Sequence, residues 1–65
     1  MKYSKLRGKI VEVFGTMARF SDAIGISPQL LSMKLSGKTD FTYRQIISVA
    51  AALNIPTNKI GEYFF

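Results

Sequence analysis

The sequence contains no cysteine and no histidine, and it has only four acidic residues among its 65. Without cysteine there is no disulfide framework and no thiolate metal site, which favours a reducing compartment. The four carboxylates, Glu12, Asp22, Asp40 and Glu62, fall on different predicted elements, so no general acid–base pair is indicated. We therefore expect no enzyme, no metal centre and no cofactor.

Long hydrophobic runs are missing as well. The longest apolar run, residues 46–53, is interrupted by Ser48 and is far shorter than the roughly 20 residues that span a bilayer. The opening residues, MKYS, lead directly into a helical pattern and not into the apolar segment of a signal peptide. A chain of 65 residues allows one domain with a small core. These features predict a single soluble, cytoplasmic domain over residues 1–65, with no membrane and no small-molecule ligand as partner.

Positive charge, in contrast, is abundant and unevenly placed. Nine basic residues against four acidic ones give a formal net charge of +5. Residues 1–38 contain seven basic and two acidic side chains, whereas residues 39–65 contain two of each, so the whole excess lies in the first part. Such an asymmetry is either ordinary solubility charge or a surface that binds a polyanion.

The apolar residues recur with the period of an α-helix, and no stretch alternates with the period of a strand. Residues suited to helix ends divide the chain, with N-caps expected at Ser4, Thr16, Ser27 and Thr42 and helix-ending glycines at Gly15, Gly25 and Gly37. The apolar stripes place these side chains in the core: Leu6, Ile10, Val13, Phe14, Met17, Phe20, Ile24, Ile46, Val49, Ala50 and Leu53. The sequence predicts an all-α fold, a compact bundle of about five short helices; whether the last segment is helical or extended stays open.

The third predicted helix, which begins after Ser27, has an outer face of unusual composition. On a helical wheel with Leu31 pointing inward, Leu35 lies about 40° away and completes the buried side. The opposite side is polar but carries no charge, and it is formed by Gln29, Ser32, Met33 and Ser36. A solvated helix face would ordinarily contain Lys and Glu, so this face is predicted to contact something other than water.

Three cations are expected to border this neutral face: Arg19, Lys34 and Lys38. The preceding helix ends two residues before Ser27, and Gly25 permits a tight left-handed exit, so the two helices should cross steeply and leave the second one prominent. Neutral donors and acceptors can read base edges in a major groove, while the basic side chains, with Lys2 and Lys5 of the N-terminal arm, bind phosphates. The alternative is a helical hairpin whose outer face happens to be small and polar.

Residues 16–37, TMARFSDAIGISPQLLSMKLSG, resemble the helix-turn-helix of the phage Cro and repressor (XRE) family. The resemblance depends on these positions: Phe20, Ser21, Gly25, Ile26, Ser27, Leu31 and Gly37. The basic start YSKLRGKIVEVFGT and the end NIPTNKIGEYFF are similar to those of small phage and prophage Cro-like proteins, so the resemblance covers nearly the whole chain. It implies a lambda-repressor-like DNA-binding domain and a transcriptional regulator, a Cro-like repressor that binds double-stranded DNA at a near-palindromic operator.

The same resemblance implies roles for individual residues. The positions that read bases in the family correspond to Pro28, Gln29, Ser32 and Met33. The positions that contact the DNA backbone correspond to Met17, Ser36, Lys38 and Thr39. The chain departs from the family pattern at four places. Met17 replaces a common Gln, Pro28 replaces a polar residue, and Lys34 replaces an apolar one. Ser21 stands where Ala is usual, so its hydroxyl is expected to donate to a carbonyl one turn back.

A homodimer is expected at least on DNA, because one short helix contacts too few base pairs to select a site. The neutral C-terminal part is the predicted dimer contact, since the basic part repels its own copy, and the candidates are Ile60, Tyr63, Phe64 and Phe65. Packing of Tyr63 and Phe64 on the chain's own core is the alternative. The second functional hypothesis is a small helical protein–protein interaction module, such as an antirepressor that does not contact DNA.

Overall fold

The structure, a computed structural model, describes residues 3–65. It contains five α-helices in this part of the chain: α1 (Ser4–Phe14), α2 (Met17–Ile24), α3 (Pro28–Leu35), α4 (Tyr43–Ala52) and α5 (Ile60–Phe64). A single turn of 3₁₀ helix, Thr57–Lys59, leads directly into α5. The last segment is therefore helical, and the prediction of a small all-α bundle is confirmed.

One apolar core joins the five helices. Its buried side chains come from every helix and from the connections on either side of α4: Leu6, Ile10, Phe20, Leu31, Leu35, Phe41, Val49, Ala50, Leu53, Ile55 and Phe64. Val13, which the helical pattern assigns to this core, is 44% exposed, so that prediction is wrong. It lies about 60° from Ile10 on the wheel, at the edge of the apolar stripe.

The predicted N-caps are confirmed at three of the four helix starts. Thr16 Oγ1 accepts from the Arg19 amide at 3.1 Å, and Ser27 Oγ accepts from the Leu30 amide at 3.2 Å. A reciprocal capping box opens α4, where Thr42 and Gln45 satisfy each other's backbone amides. Each cap supplies an acceptor for an amide that has no partner within its own helix.

The exception is the start of α1. The helix begins at Ser4 itself, and the residue before it, Tyr3, has a left-handed φ of 64° and no side-chain cap. The Tyr3 ring packs edge to face on Phe41 and Phe64, with centroid distances of 5.5 and 6.4 Å. Ring packing therefore fixes the entry to α1, and the predicted cap at Ser4 is wrong.

The turn between α2 and α3 is as tight as the sequence predicted. Gly25 has a φ of 71°, a left-handed conformation that glycine adopts without a steric cost, and the Ile26 amide donates to the Ser21 carbonyl oxygen at 3.2 Å. Ile26 packs against the core. The chain thus leaves α2 and starts α3 within three residues, which leaves α3 at the surface.

The aromatic residues at the C-terminal end of the chain differ in their exposure. Phe64 is 5% exposed and packs on Phe41 at a centroid distance of 5.4 Å. Its predicted place on an exposed dimer surface is therefore wrong, because the small core needs this ring. Ile60 and Tyr63 are half-buried against the core, whereas Phe65 is 93% exposed and stays a predicted dimer contact.

Candidate nucleic-acid interface

Helix α3 presents the outer face that the wheel predicted. Leu31 and Leu35 are each 1% exposed and fix the inner side of the helix. The other side is exposed at Gln29, Ser32, Met33 and Ser36, and Pro28 at the start of the helix is exposed as well. All five base-reading and outer-face positions are therefore accessible on one helix and its C-terminal end, and none of them carries a charge.

Two of these residues take part in local hydrogen bonds that shape the end of the helix. The Ser36 hydroxyl donates to the Met33 carbonyl oxygen at 3.0 Å. The Ser36 side chain is thus held close to the last turn of α3, where it remains exposed. The exposed Met33 side chain, 36% accessible, adds an apolar group beside the polar side chains of Gln29 and Ser32.

The start of α2 contributes one cation and a set of amides. Arg19 is exposed in the first turn, and Thr16 caps that turn. Met17, at the first helical position, is half-buried and packs on the core. A contact from Met17 to a phosphate would therefore come from its backbone N–H, which has no acceptor within the helix.

The connection after α3 holds a second exposed cation. Gly37 adopts a left-handed φ of 86°, and the amide of Lys38 then donates to the Met33 carbonyl oxygen at 3.0 Å. The Lys38 side chain is exposed beside the end of α3. The Thr39 side chain is placed differently from what a phosphate contact requires, because its hydroxyl oxygen is buried and has no hydrogen-bond partner within residues 3–65.

Lys34 also differs from its predicted role. It is 6% exposed, and its ammonium donates to the Asp40 carbonyl oxygen at 2.8 Å. On the wheel Lys34 lies about 60° from Leu31, so its aliphatic stem follows the core, and the connection after α3 folds over its end. The prediction that Lys34 borders the outer face and contacts phosphate is wrong, because the residue is buried and its ammonium is bonded to the Asp40 carbonyl oxygen.

The N-terminal cations are only partly described. Lys2 lies outside the described residues. Lys5 forms an exposed ion pair with Glu62 at 3.6 Å and lies 5.0 Å from the centre of the Tyr63 ring. Exposed pairs of this kind are weak, so Lys5 is tethered to α5 but not sequestered by it.

The structure adds one cation that the sequence pattern does not single out. Arg44, in the first turn of α4, is exposed and follows the connection that carries Lys38. In the sequence, the segment from Thr42 to Gln45 indicates a capping box, and nothing in that pattern singles out Arg44. Three exposed cations within residues 3–65 form no ion pair: Arg19, Lys38 and Arg44.

Other kinds of site receive no support in the part of the chain that the structure describes. No group of three or more His, Cys, Asp or Glu side chains is placed to hold a metal ion. None of the helices in residues 3–65 is both long and apolar enough to cross a membrane.

Comparison with curated proteins finds no match. One family, described as "Protein of unknown function (DUF739)", matches residues 1–65, which is every residue of the 65-residue sequence. The chain therefore belongs to the DUF739 family.

Proposed function

We propose that this protein is a sequence-specific DNA-binding transcriptional regulator that acts as a Cro-like repressor. The observation that carries the proposal is the exposed, uncharged face of α3, with Gln29, Ser32 and Met33 on a helix anchored from behind by Leu31 and Leu35. Residues 16–37, which resemble the helix-turn-helix of Cro-type proteins, form α2, the tight turn and α3.

The dimensions and chemistry of this face suit a major groove. An α-helix with its side chains is about 10–12 Å in diameter, and the major groove of B-DNA, about 12 Å wide, admits one. Gln29 can donate to and accept from one base, Ser32 can do either, and Met33 can lie against a thymine methyl group. Charged side chains would only donate or only accept hydrogen bonds, according to their charge. The neutral side chains of this face can do either and can therefore distinguish bases by their hydrogen-bond pattern.

Affinity would come from the cations that flank the face. Arg19 lies in the first turn of α2 and Lys38 in the connection after α3, and both are exposed. Arg44 adds a third free cation at the start of α4. Contacts between such side chains and phosphates supply binding energy that is independent of sequence, and they orient the helix in the groove.

Regulation would follow from occupancy of an operator. A two-fold homodimer places two reading helices about 34 Å apart, one turn of duplex, and reads a near-palindrome. The domain measures 28 × 23 × 22 Å, so two copies side by side can present their α3 helices at that spacing. A bound dimer would exclude polymerase or a competing regulator from the site.

Selection of bound sequences from a pool of random duplexes tests the proposal. We expect enrichment of a near-palindromic motif with two half-sites one turn apart. A variant with Gln29, Ser32 and Met33 all replaced by Ala keeps the buried side of α3 and serves as the matched control; it should bind DNA without enriching that motif. Absence of enrichment by the parent protein in dilute salt contradicts the proposal.

The alternative, a protein–protein interaction module that does not contact DNA, is favoured by a different observation. Tyr43 is 80% exposed, Ile47 is 42% exposed one turn further along α4, and Phe65 is 93% exposed. Exposed apolar side chains of this size are found at interaction surfaces. The same selection distinguishes the two functions, because an antirepressor would enrich no DNA motif at any salt concentration.

A further inference from the structure

We propose that Lys34 is a buried positioning residue whose ammonium ties the connection after α3 to the reading helix and so holds Lys38 at the edge of the DNA-binding face. The inference depends on the proposed function for what Lys38 contacts. The tie itself depends only on the geometry around the ammonium.

That geometry is specific. The Lys34 ammonium donates to the Asp40 carbonyl oxygen at 2.8 Å and lies 5.8 Å from the centre of the Phe41 ring. The ring of Phe41 is itself fixed by edge-to-face packing on Tyr3 and Phe64. The ammonium therefore bonds to the carbonyl oxygen of Asp40, and the next residue, Phe41, is anchored in the core.

Stability alone does not account for a lysine at this position. Because the Lys34 residue is only 6% exposed and the hydrogen bond of its ammonium is partly buried, the charged group has lost hydration that one carbonyl and one aromatic face replace only in part. An unbranched apolar side chain such as Met would fill most of the same space without that cost. What the ammonium adds is a charge-assisted, directional bond between α3 and the backbone six residues further on.

The tie completes a closed connection around Lys38. At its start, the Lys38 amide donates to the Met33 carbonyl oxygen at 3.0 Å. At its end, Asp40 accepts from Lys34. Both anchoring residues, Met33 and Lys34, lie in the last turn of α3, so movement of the reading helix carries Lys38 with it. Without the ammonium, α3 still holds the part of the connection after Gly37 through the Met33 carbonyl oxygen, which accepts from the amides of Lys38 at 3.0 Å and of Thr39 at 3.5 Å, but Asp40 loses its bond to α3.

The first measurement needs no DNA. Lys34→Met removes the donor and leaves an unbranched apolar side chain one atom shorter than lysine, and Lys59→Met, at an exposed lysine of the 3₁₀ turn, is the matched control. Lys34→Met should melt no lower than the parent, while amide hydrogen exchange at residues 38–41 rises about fivefold or more. Lys59→Met should leave that exchange unchanged. Unchanged exchange in Lys34→Met overturns the tie.

The second measurement is a double-mutant cycle on duplex DNA. Alone, Lys34→Met and Lys38→Gln should each weaken binding about tenfold, a factor that corresponds to about 1.4 kcal/mol. Combined, they should weaken it little more than Lys38→Gln does, because Lys34 acts through Lys38. Lys34→Met combined with Arg19→Gln should be multiplicative, since Arg19 is on another helix.

The outcomes separate the possible roles of Lys34. If Lys34→Met weakens binding by the same factor with and without Lys38→Gln, the ammonium contacts phosphate itself and the positioning role is wrong. If amide hydrogen exchange rises in Lys34→Met but its affinity for DNA is unchanged, the ammonium holds the connection but positions no group that contacts DNA. That result also overturns the proposal. If the parent protein binds no DNA, the proposed function fails and the positioning role fails with it, while the exchange measurement still reports on the tie.

Discussion

The hydroxyl of Ser21 donates a hydrogen bond to the carbonyl oxygen of Ala18 at 2.9 Å, which satisfies the one polar side chain in the buried face of α2. Ser21 lies within α2 and is 2% exposed. Its hydroxyl is acceptable in this buried place because a carbonyl one turn back accepts its hydrogen bond.

The first prediction concerns this hydrogen bond. Ser21→Ala should change the free energy of unfolding by no more than about 1 kcal/mol, because the hydroxyl and its desolvation cost are removed together. Ser21→Leu should destabilise the fold by about 1–3 kcal/mol, because extra methylene groups overpack the site. Denaturant titration of both variants measures the difference. Equal stability of the Leu variant and the parent would mean that the surroundings of Ser21 are not closely packed.

The second prediction concerns base readout. Gln29→Ala should relax the preference at one base pair of each half-site, since a bidentate contact of an amide with adenine discriminates by about 1–3 kcal/mol. Affinity for random DNA should stay close to that of the parent, because the phosphate contacts remain. Competition titrations with single-base variants of the selected duplex measure this. Retention of the parent's preferences by Gln29→Ala, Ser32→Ala and Met33→Ala alike would show that α3 is not the reading helix.

Replacing thymine with uracil in the duplex tests the contribution of Met33 to base readout. Met33 should make binding sensitive to the loss of the thymine methyl group at one position, because its contact there is apolar. In Met33→Ala the thymine and uracil duplexes should bind equally. Ser32→Ala, on the same exposed face, is the control that keeps the sensitivity.

The third prediction concerns salt. Binding should weaken linearly on a log–log scale as salt increases, and removal of one phosphate-binding cation should reduce the slope by about one unit. Arg19→Gln, Lys38→Gln and Arg44→Gln should each show this reduction. Lys59→Gln, which removes an exposed cation paired with Glu62 on the 3₁₀ turn and α5, should not. Binding that does not depend on salt would exclude a phosphate interface.

The fourth prediction separates the two final residues. Phe64→Ser should destabilise the fold by about 3–5 kcal/mol, because a buried aromatic ring is removed from a small core. Phe65→Ser should alter stability by less than about 0.5 kcal/mol, since the side chain is exposed. Thermal melts measure both effects.

Assembly is then tested with the stable variant. If Phe65 lies in the dimer contact, Phe65→Ser should bind the full operator non-cooperatively, and sedimentation should show a monomer at concentrations where the parent is a dimer. Ile47→Ser, at an exposed apolar residue of α4, is a matched substitution elsewhere on the surface. A Phe65→Ser protein that still dimerises on the operator would remove the tail from the interface.

Local features were predictable from the sequence because their causes are local. Helix starts at Thr16, Ser27 and Thr42 depend on side chains that bond to amides three residues away, and a reversal at Gly25 depends on the steric freedom of one residue. The inner and outer sides of α3 follow from the helical period alone. For these reasons the helix count, the tight turn and the neutral face could all be derived without coordinates.

Tertiary packing decided what depends on residues far apart in the chain. Nothing near Ser4 in sequence indicates that Tyr3 packs on Phe41 and Phe64, and those contacts replace the expected cap at α1 and help to bury the Phe64 ring. Lys34 is the plainest case: its charge predicts a place at the surface, yet a connection that folds back over the helix end covers it. Side-chain chemistry and helical period determine which face of a helix is polar, but only the path of the rest of the chain determines whether that face meets water.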